Sequence, residues 1–276
     1  MNPIVTAFLL SLVAGMGTGL GGLIVIIRKP GPRLYGFLMG IASGVMITLS
    51  FLDLVNQAWE LQGFLTATIG FGAGAIFMLA LDVTVPHIRF GEEEIPHLNE
   101  VNTTEVANPQ RRGRRRFGQL RHGGSIDQGL LNSGILIAIG ITIHNIPEGI
   151  AVGAGYMHTP SFGIFIAIAI LLHNIPEGIA TALPLCTSGI CRWDSFRVAF
   201  LSGLAEPLGA LAAALFLTSF QSLIPAALAF AGGVMVFITL DELIPAAREH
   251  GHHHTTAIGI ILGAIFVFLL SGLFKI

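Results

Sequence analysis

Two identical hexapeptides carry the polar residues whose types and spacing best suit metal chemistry. His-Asn-Ile-Pro-Glu-Gly occupies residues 144–149 and recurs at 173–178. Residues four apart share one face of a helix, so the His and Glu of each copy face the same way, with the Asn beside them. His, Asn and carboxylate together suit Zn²⁺, Fe²⁺ or Mn²⁺, whereas Mg²⁺ and Ca²⁺ normally take oxygen ligands alone. The predicted ligands are His144, Asn145, Glu148, His173, Asn174 and Glu177.

Each hexapeptide also contains a proline, which changes the backbone around the polar residues. Pro147 and Pro176 supply no amide hydrogen to the carbonyls of Ile143 and Leu172, four residues earlier, and are expected to bend the helix. The freed carbonyls could contact a passing cation or water.

The composition shows that these motifs lie in membrane-spanning helices. Of the 276 residues, 53% are hydrophobic and 11% are charged, against about 25% charged in soluble proteins. Several stretches without Lys, Arg, Asp or Glu are long enough to cross a ~30 Å hydrocarbon layer. The sequence predicts an all-α integral membrane protein that forms a single membrane domain over residues 1–276. The expected helices lie near 5–27, 33–57, 64–85, 130–156, 161–185, 194–218, 223–247 and 255–274.

The positive charges predict the orientation of these eight helices. Apart from Lys275, every Lys and Arg lies in or beside the connections that follow the first, third, fifth and seventh helices. Cytoplasmic loops hold the excess of Lys and Arg, so we expect both termini outside. The connections expected in the cytoplasm are 28–33, 86–129, 186–197 and 248–254, of which 86–129 is a long polar loop.

The two hexapeptides fall in the fourth and fifth helices, which run antiparallel. This predicts an inverted repeat about a pseudo-two-fold axis in the membrane plane, an arrangement that places transporter sites near the bilayer centre. A carboxylate there costs ~2.5 kcal/mol or more on insertion scales and needs a partner or a wet cavity. Glu148, Glu177 and Glu206, in the sixth helix, are therefore either protonated or neutralised by a cation. The nearby imidazoles favour a metal ion.

Further polar residues could extend a path for the ion. Asp241 and Glu242 lie near the cytoplasmic end of the seventh helix. Asp53 and Asp82 lie toward opposite ends of the bundle, where they attract or release cations or are simply solvated. The cluster at 250–254 contains four His and could receive metal on the cytoplasmic side, although a plain polar turn explains it equally well.

These features resemble the ZIP family of metal-ion transporters, specifically its bacterial zinc-uptake members. The resemblance covers eight helices with both ends outside, the paired hexapeptides, Glu206-Pro207-Leu208-Gly209, and the run from Asp241 to Pro245. It implies a two-metal centre in which the glutamates of the repeat bridge two ions. One ion would take His144, Glu148, His173 and Glu177, and the other Asn145, Glu148, Asn174, Glu177 and Glu206. Met46 matches a position where some members offer a thioether to the first ion, although on its own it reads as a packing residue.

A protein of this kind would be a multi-pass protein of the cell (inner) membrane. It would carry Zn²⁺ foremost, and also Fe²⁺, Mn²⁺ or Cd²⁺, into the cytoplasm by exposing its site to each side in turn. We expect no cofactor beyond the transported ion. The expected partners are divalent ions and the lipid bilayer. The sequence leaves the oligomeric state open, and a homodimer is one possibility. Nothing in the sequence indicates nucleic-acid recognition, and the phosphate-binding Gly-x-x-x-x-Gly-Lys loop is absent.

Three other functions remain open at this point. An intramembrane zinc-dependent hydrolase needs an open coordination position and a general base, but the His-Glu-x-x-His pattern of zinc proteases is missing. A bis-histidine haem protein fits less well, because glutamates lie beside each histidine. A proton-coupled carrier of an organic cation would use Glu148 and Glu177 as proton relays without binding metal.

Overall fold

Eight long helices make up the part of the chain that the structure describes. This computed structural model describes residues 2–84, 126, 128–250 and 253–276. Within those ranges the chain is helical, and eight helices are long and apolar enough to cross a membrane. They are α1 (Pro3–Ile27), α2 (Pro32–Gln62), α3 (Phe64–Thr84), α4 (Gln128–His158), α5 (Pro160–Thr187), α6 (Arg192–Ser219), α7 (Gln221–Glu249) and α8 (His253–Phe274).

The predicted all-α membrane fold and its helix order are confirmed. The largest difference is at the end of α2, which reaches Gln62 rather than residue 57. Most of the predicted loop at 86–129 lies outside the described residues, so that prediction remains untested. Because the helices alternate in direction, α1 begins and α8 ends at the same end of the bundle. We name that end the terminal face and the opposite end the loop face.

The helices divide into two groups of four. The first, named the site group, contains α1, α4, α5 and α6, and the second, named the flanking group, contains α2, α3, α7 and α8. Glycines bring the helices of each group backbone to backbone. A methyl group at Gly21 would collide with the carbonyl of Ile175, and one at Gly44 would collide with the carbonyl of Ile260. Such close approach is how small residues pack membrane helices.

These close contacts occur twice, in opposite orientations. In the site group, the Thr18 carbonyl of α1 lies against Gly178 of α5, and the Glu206 carbonyl of α6 lies against Gly149 of α4. In the flanking group, the Gly44 contact between α2 and α8 recurs at Gly233 between α7 and α3. Helices α1 to α4 thus correspond to α6, α7, α8 and α5, respectively. Each helix runs opposite to its counterpart, which confirms the inverted repeat.

A second sequence repeat, which the sequence analysis missed, lies in α2 and α7. Gly-Val-Met occurs at 44–46 and again at 233–235, and the residues that follow place Ser50 opposite Thr239 in the repeat and Asp53 opposite Glu242. Both helices become π-helical there, over Leu49–Val55 in α2 and Thr239–Leu243 in α7. Short π-helical insertions are frequent at functional sites. The repeat therefore gives each half of the bundle one carboxylate in a widened helix turn.

The two groups meet mainly through α4 against α7 and α2 against α5. Each of these contacts is the counterpart of the other in the inverted repeat. Helices α4 and α5 carry the hexapeptides, so the predicted metal ligands lie beside the boundary between the groups.

Candidate metal centre

The structure brings the two hexapeptides together in the middle of the site group. Helices α4 and α5 continue through Pro147 and Pro176 without a break in helical structure. Each carries its His, Asn and Glu on buried positions, and none of these six side chains is more than 2% exposed. The two hexapeptides therefore lie together, as predicted.

Three ligands converge on one point at the junction of α4 and α5. The Nε2 atom of His173 lies 3.1 Å from Glu148 Oε1 and 3.7 Å from Glu177 Oε1. One ligand atom from each of these residues falls within 4.8 Å of the others. The Oε2 atoms of both glutamates are buried without a hydrogen-bond partner. Charged groups removed from water are costly unless they are paired, and a divalent cation at this point would neutralise both carboxylates.

His144 is not part of this cluster, although the sequence placed it around the same ion. Its Nε2 atom lies 3.3 Å from Glu242 Oε1 on α7. Glu242 in turn belongs to a second group of three carboxylates, together with Asp82 on α3 and Asp241 on α7. His144 therefore connects the central cluster to acidic residues nearer the loop face. Its role as a metal ligand stays a prediction.

The two asparagines hold the backbone of neighbouring helices. Asn145 Nδ2 donates a hydrogen bond of 2.8 Å to the carbonyl of Ser202, and Asn174 Nδ2 donates one of 3.0 Å to the carbonyl of Ala14. The two bonds are counterparts in the inverted repeat. Both Oδ1 atoms are buried and have no hydrogen-bond partner. Each amide is thus oriented so that an oxygen remains for a cation.

Glu206 is held by two donors from other helices. Ser11 Oγ on α1 donates to Glu206 Oε1 at 3.1 Å, and Asn174 Nδ2 donates to Oε2 at 2.8 Å. An ionised carboxylate has about four acceptor sites, so these two bonds leave room for a metal ion. Ser11 is not among the residues predicted from the sequence. Its only signal is a hydroxyl in a mostly apolar, glycine-rich helix that also contains Thr6 and Thr18.

The structure also describes Met46, Asp53 and part of the histidine cluster. Met46 is fully buried, and its sulfur accepts a hydrogen bond of 3.6 Å from Thr239 Oγ1. Asp53 is 5% exposed, so the idea that it is simply solvated is wrong. Of the histidine cluster at 250–254, the structure describes the side chains of His253 and His254, which are exposed at the start of α8.

Comparisons with known proteins agree with this architecture. A family model described as ZIP Zinc transporter matches residues 2–271. A protein named Zinc transporter ZupT from Oceanobacillus iheyensis is 39% identical, covering 95% of this chain and 96% of its own. Zinc transporter ZTP29 from Arabidopsis thaliana is 36% identical, with coverages of 95% and 92%. A ZupT from Corynebacterium aurimucosum is 36% identical over 99% of both chains. The chain belongs to the ZIP family.

Proposed function

We propose that this protein transports divalent transition-metal ions into the cytoplasm, with Zn²⁺ as the main substrate. The observation that carries the proposal is the buried convergence of Glu148, His173 and Glu177. No Lys or Arg occurs in α4 or α5 to neutralise these carboxylates, and a mobile cation supplies the missing charge. The names of the zinc-transporting relatives support the same reading.

The donor set favours a borderline metal ion. One imidazole nitrogen and two carboxylates suit Zn²⁺, Fe²⁺, Mn²⁺ and Cd²⁺ better than Mg²⁺ or Ca²⁺. The central cluster contains no thiolate, which would bind the ion tightly and slow its release. Moderate affinity is what a transport site needs.

We also propose a second ion beside the first. Glu206 and the free Oδ1 atoms of Asn145 and Asn174 offer oxygen ligands on the side of Glu148 and Glu177 that faces α1 and α6. The two glutamates would then bridge two ions. The unpartnered oxygens support this two-metal centre.

The acidic residues near the loop face continue the path. An ion that leaves the central cluster would meet His144 and Glu242, then Asp241 and Asp82. The distribution of Lys and Arg assigns this face to the cytoplasm. A membrane potential of ~100 mV, negative inside, would favour entry of a divalent ion by about 4.6 kcal/mol, twice the value for a single charge.

The two helix groups supply a mechanism for alternating access. Glycine contacts fix the helices within each group, while the boundary between the groups has less backbone-to-backbone packing. The site group would move against the flanking group and carry the ion between the terminal face and the loop face. Binding at the bundle centre with movement of one repeat against another is common among secondary transporters.

The competing reading is an intramembrane zinc-dependent hydrolase. The family assignment favours a transporter, and a duplicated site with unpaired oxygens on both helices suits a pathway better than a single catalytic face. A location in the bacterial inner membrane and a homodimeric assembly remain part of the proposal.

Uptake into proteoliposomes tests the proposal directly. Purified protein would be reconstituted and supplied with Zn²⁺, Fe²⁺, Mn²⁺ or Cd²⁺, with the double variant His173→Ala, Glu177→Ala as the control. Saturable influx that the control lacks is the expected result. Bound metal without any influx would favour the hydrolase instead.

A further inference from the structure

An ion pair crosses the boundary between the two helix groups. His144 belongs to α4 of the site group, and Glu242 belongs to α7 of the flanking group. Their side chains lie 3.3 Å apart, and each is 1% exposed. Buried charged pairs are costly to break one partner at a time. This pair therefore ties the groups together on the loop-face side of the centre.

The inverted repeat specifies a counterpart for each member of this pair. His144 corresponds to His173, because the two hexapeptides occupy equivalent positions in α4 and α5. Glu242 corresponds to Asp53, because both follow Gly-Val-Met at the same spacing and both lie in a π-helical segment. The contact between α5 and α2 is the counterpart of that between α4 and α7. In the inverted repeat, Asp53 therefore occupies the same position relative to His173 that Glu242 occupies relative to His144.

This second pair is not formed in the structure. His173 Nε2 contacts Glu148 and Glu177 instead. Asp53 Oδ2 and Ser50 Oγ, one turn earlier in α2, are buried without a hydrogen-bond partner, and so are His144 Nε2 and the Glu242 oxygens. The difference between the two halves is therefore the ion-pair contact, which His144 has with Glu242 and His173 does not have with Asp53. An unpartnered carboxylate in a membrane helix is costly, so a second state in which Asp53 gains a partner would remove that cost.

We infer that Asp53 and His173 form this second ion pair when the site group takes the other of the two positions that alternating access requires. In that state His144 leaves Glu242 and takes the place beside Glu148 and Glu177 that His173 holds now. Each state then contains one cross-group pair and one histidine at the metal. Equal numbers of interactions give two states of similar energy, as an alternating transporter requires. The inference rests on the proposed transport function and makes Asp53 a positioning residue.

Crosslinking tests the pairing without requiring transport. Cysteines would replace Asp53 and His173 in a background with Cys186→Ser and Cys191→Ser, and a short bifunctional thiol reagent would join them. The pair at 144 and 242 is the positive control, because those residues are already in contact. The pair at 53 and 144 is the matched negative control, because the repeat does not relate those residues.

The expected result is crosslinking of 53 with 173 at about tenfold the yield of 53 with 144, as detected by mass spectrometry. A yield no higher than that of the negative control, together with efficient joining of 144 and 242, would overturn the inference. If the wild-type protein showed no zinc uptake, the proposed transport function would be refuted, but the crosslinking result would still be valid.

Kinetics test Asp53 without cysteines. Asp53→Asn is expected to lower the turnover number for Zn²⁺ uptake about tenfold, which equals ~1.4 kcal/mol. Equilibrium binding of Zn²⁺ in detergent should stay within about twofold, because Asp53 does not touch the central cluster in this state. Asp53→Glu should restore part of the turnover. Glu60→Gln removes an exposed charge from the same helix and should change neither quantity. If Asp53→Asn and Glu60→Gln had the same turnover number for Zn²⁺ uptake, Asp53 would not be a positioning residue.

Discussion

Ser11 Oγ on α1 donates a hydrogen bond to Glu206 Oε1 on α6, and both side chains are fully buried. This contact brings a helix without any hexapeptide into the metal centre. A buried polar group that loses its hydrogen-bond partner costs about 1–3 kcal/mol. The hydroxyl therefore helps to keep a carboxylate at a place where the surrounding helices are apolar.

Removing this hydroxyl should destabilise the metal-free protein most. Ser11→Ala leaves Glu206 Oε1 without its donor and is expected to lower the free energy of unfolding by about 1–3 kcal/mol without metal. Added Zn²⁺ should recover part of the loss, because the ion neutralises Glu206. Thermal unfolding in detergent, with and without Zn²⁺, measures both quantities. Thr187→Ala removes an exposed hydroxyl bonded within its own helix and should have little effect. Equal losses in the two variants would argue against the contact.

The two histidines of the repeat should behave differently, because only His173 lies in the central cluster. His173→Ala is expected to weaken Zn²⁺ binding about 100-fold, comparable to the upper range for groups that tune a metal site. His144→Ala should leave equilibrium binding within about threefold and slow transport instead. Equilibrium binding in detergent and uptake into liposomes separate the two effects. Equal losses of affinity would support the original assignment of both histidines to one ion.

Glu148 and Glu177, which we propose to bridge two ions, should be essential for the proposed transport but not for folding. Glu148→Gln and Glu177→Gln keep the side-chain shape and replace a buried carboxylate whose Oε2 atom has no hydrogen-bond partner. Each glutamine keeps a polar group beside His173 and removes the cost of a buried charge, so we expect the protein to remain folded. We expect Zn²⁺ uptake to fall to background while the protein still elutes as a single species in detergent. Normal flux in both variants would exclude a bridging carboxylate.

The glycine contacts predict where added volume disrupts the site group. Gly149→Ala would push a methyl group into the Glu206 carbonyl. Overpacking of this kind costs about 1–3 kcal/mol, so the melting temperature in detergent should fall. Gly72→Ala is the matched control, because nothing lies within 4 Å of the added methyl group in α3, and alanine favours helix. Similar melting temperatures for the two variants would show that α4 and α6 can move apart without loss of stability.

Much of the fold could be predicted from the sequence, because it depends on local composition. Charge-free stretches fixed the eight helices, and the identical hexapeptides pointed to facing half-sites. The repeat in α2 and α7 was harder to see, because Ser50 and Asp53 are matched by Thr239 and Glu242, which are similar rather than identical. Conservative substitution hides such a relationship until the packing shows it.

The finer arrangement of the centre depends on contacts between distant segments, which a single sequence does not contain. Nothing in the order of residues shows that His144 faces Glu242 rather than Glu177. The same holds for Ser11, because a hydroxyl in a membrane helix usually bonds to its own backbone. These partners are chosen by how the two helix groups pack.

At one buried position beside the candidate metal centre, the two halves of the inverted repeat differ in charge, and this difference would affect the proposed transport in the two directions. Thr18 on α1 stands where α6 has Glu206, and its hydroxyl is buried without a partner. A perfectly symmetric carrier would hold its ion equally well from either side. With a carboxylate on one half only, the two open states of the proposed carrier would be similar but not equal in energy, and the ion concentrations that half-saturate them would differ. The final distribution would still follow the ion gradient and the voltage, but the protein would respond to scarce ions on one side and to abundant ions on the other.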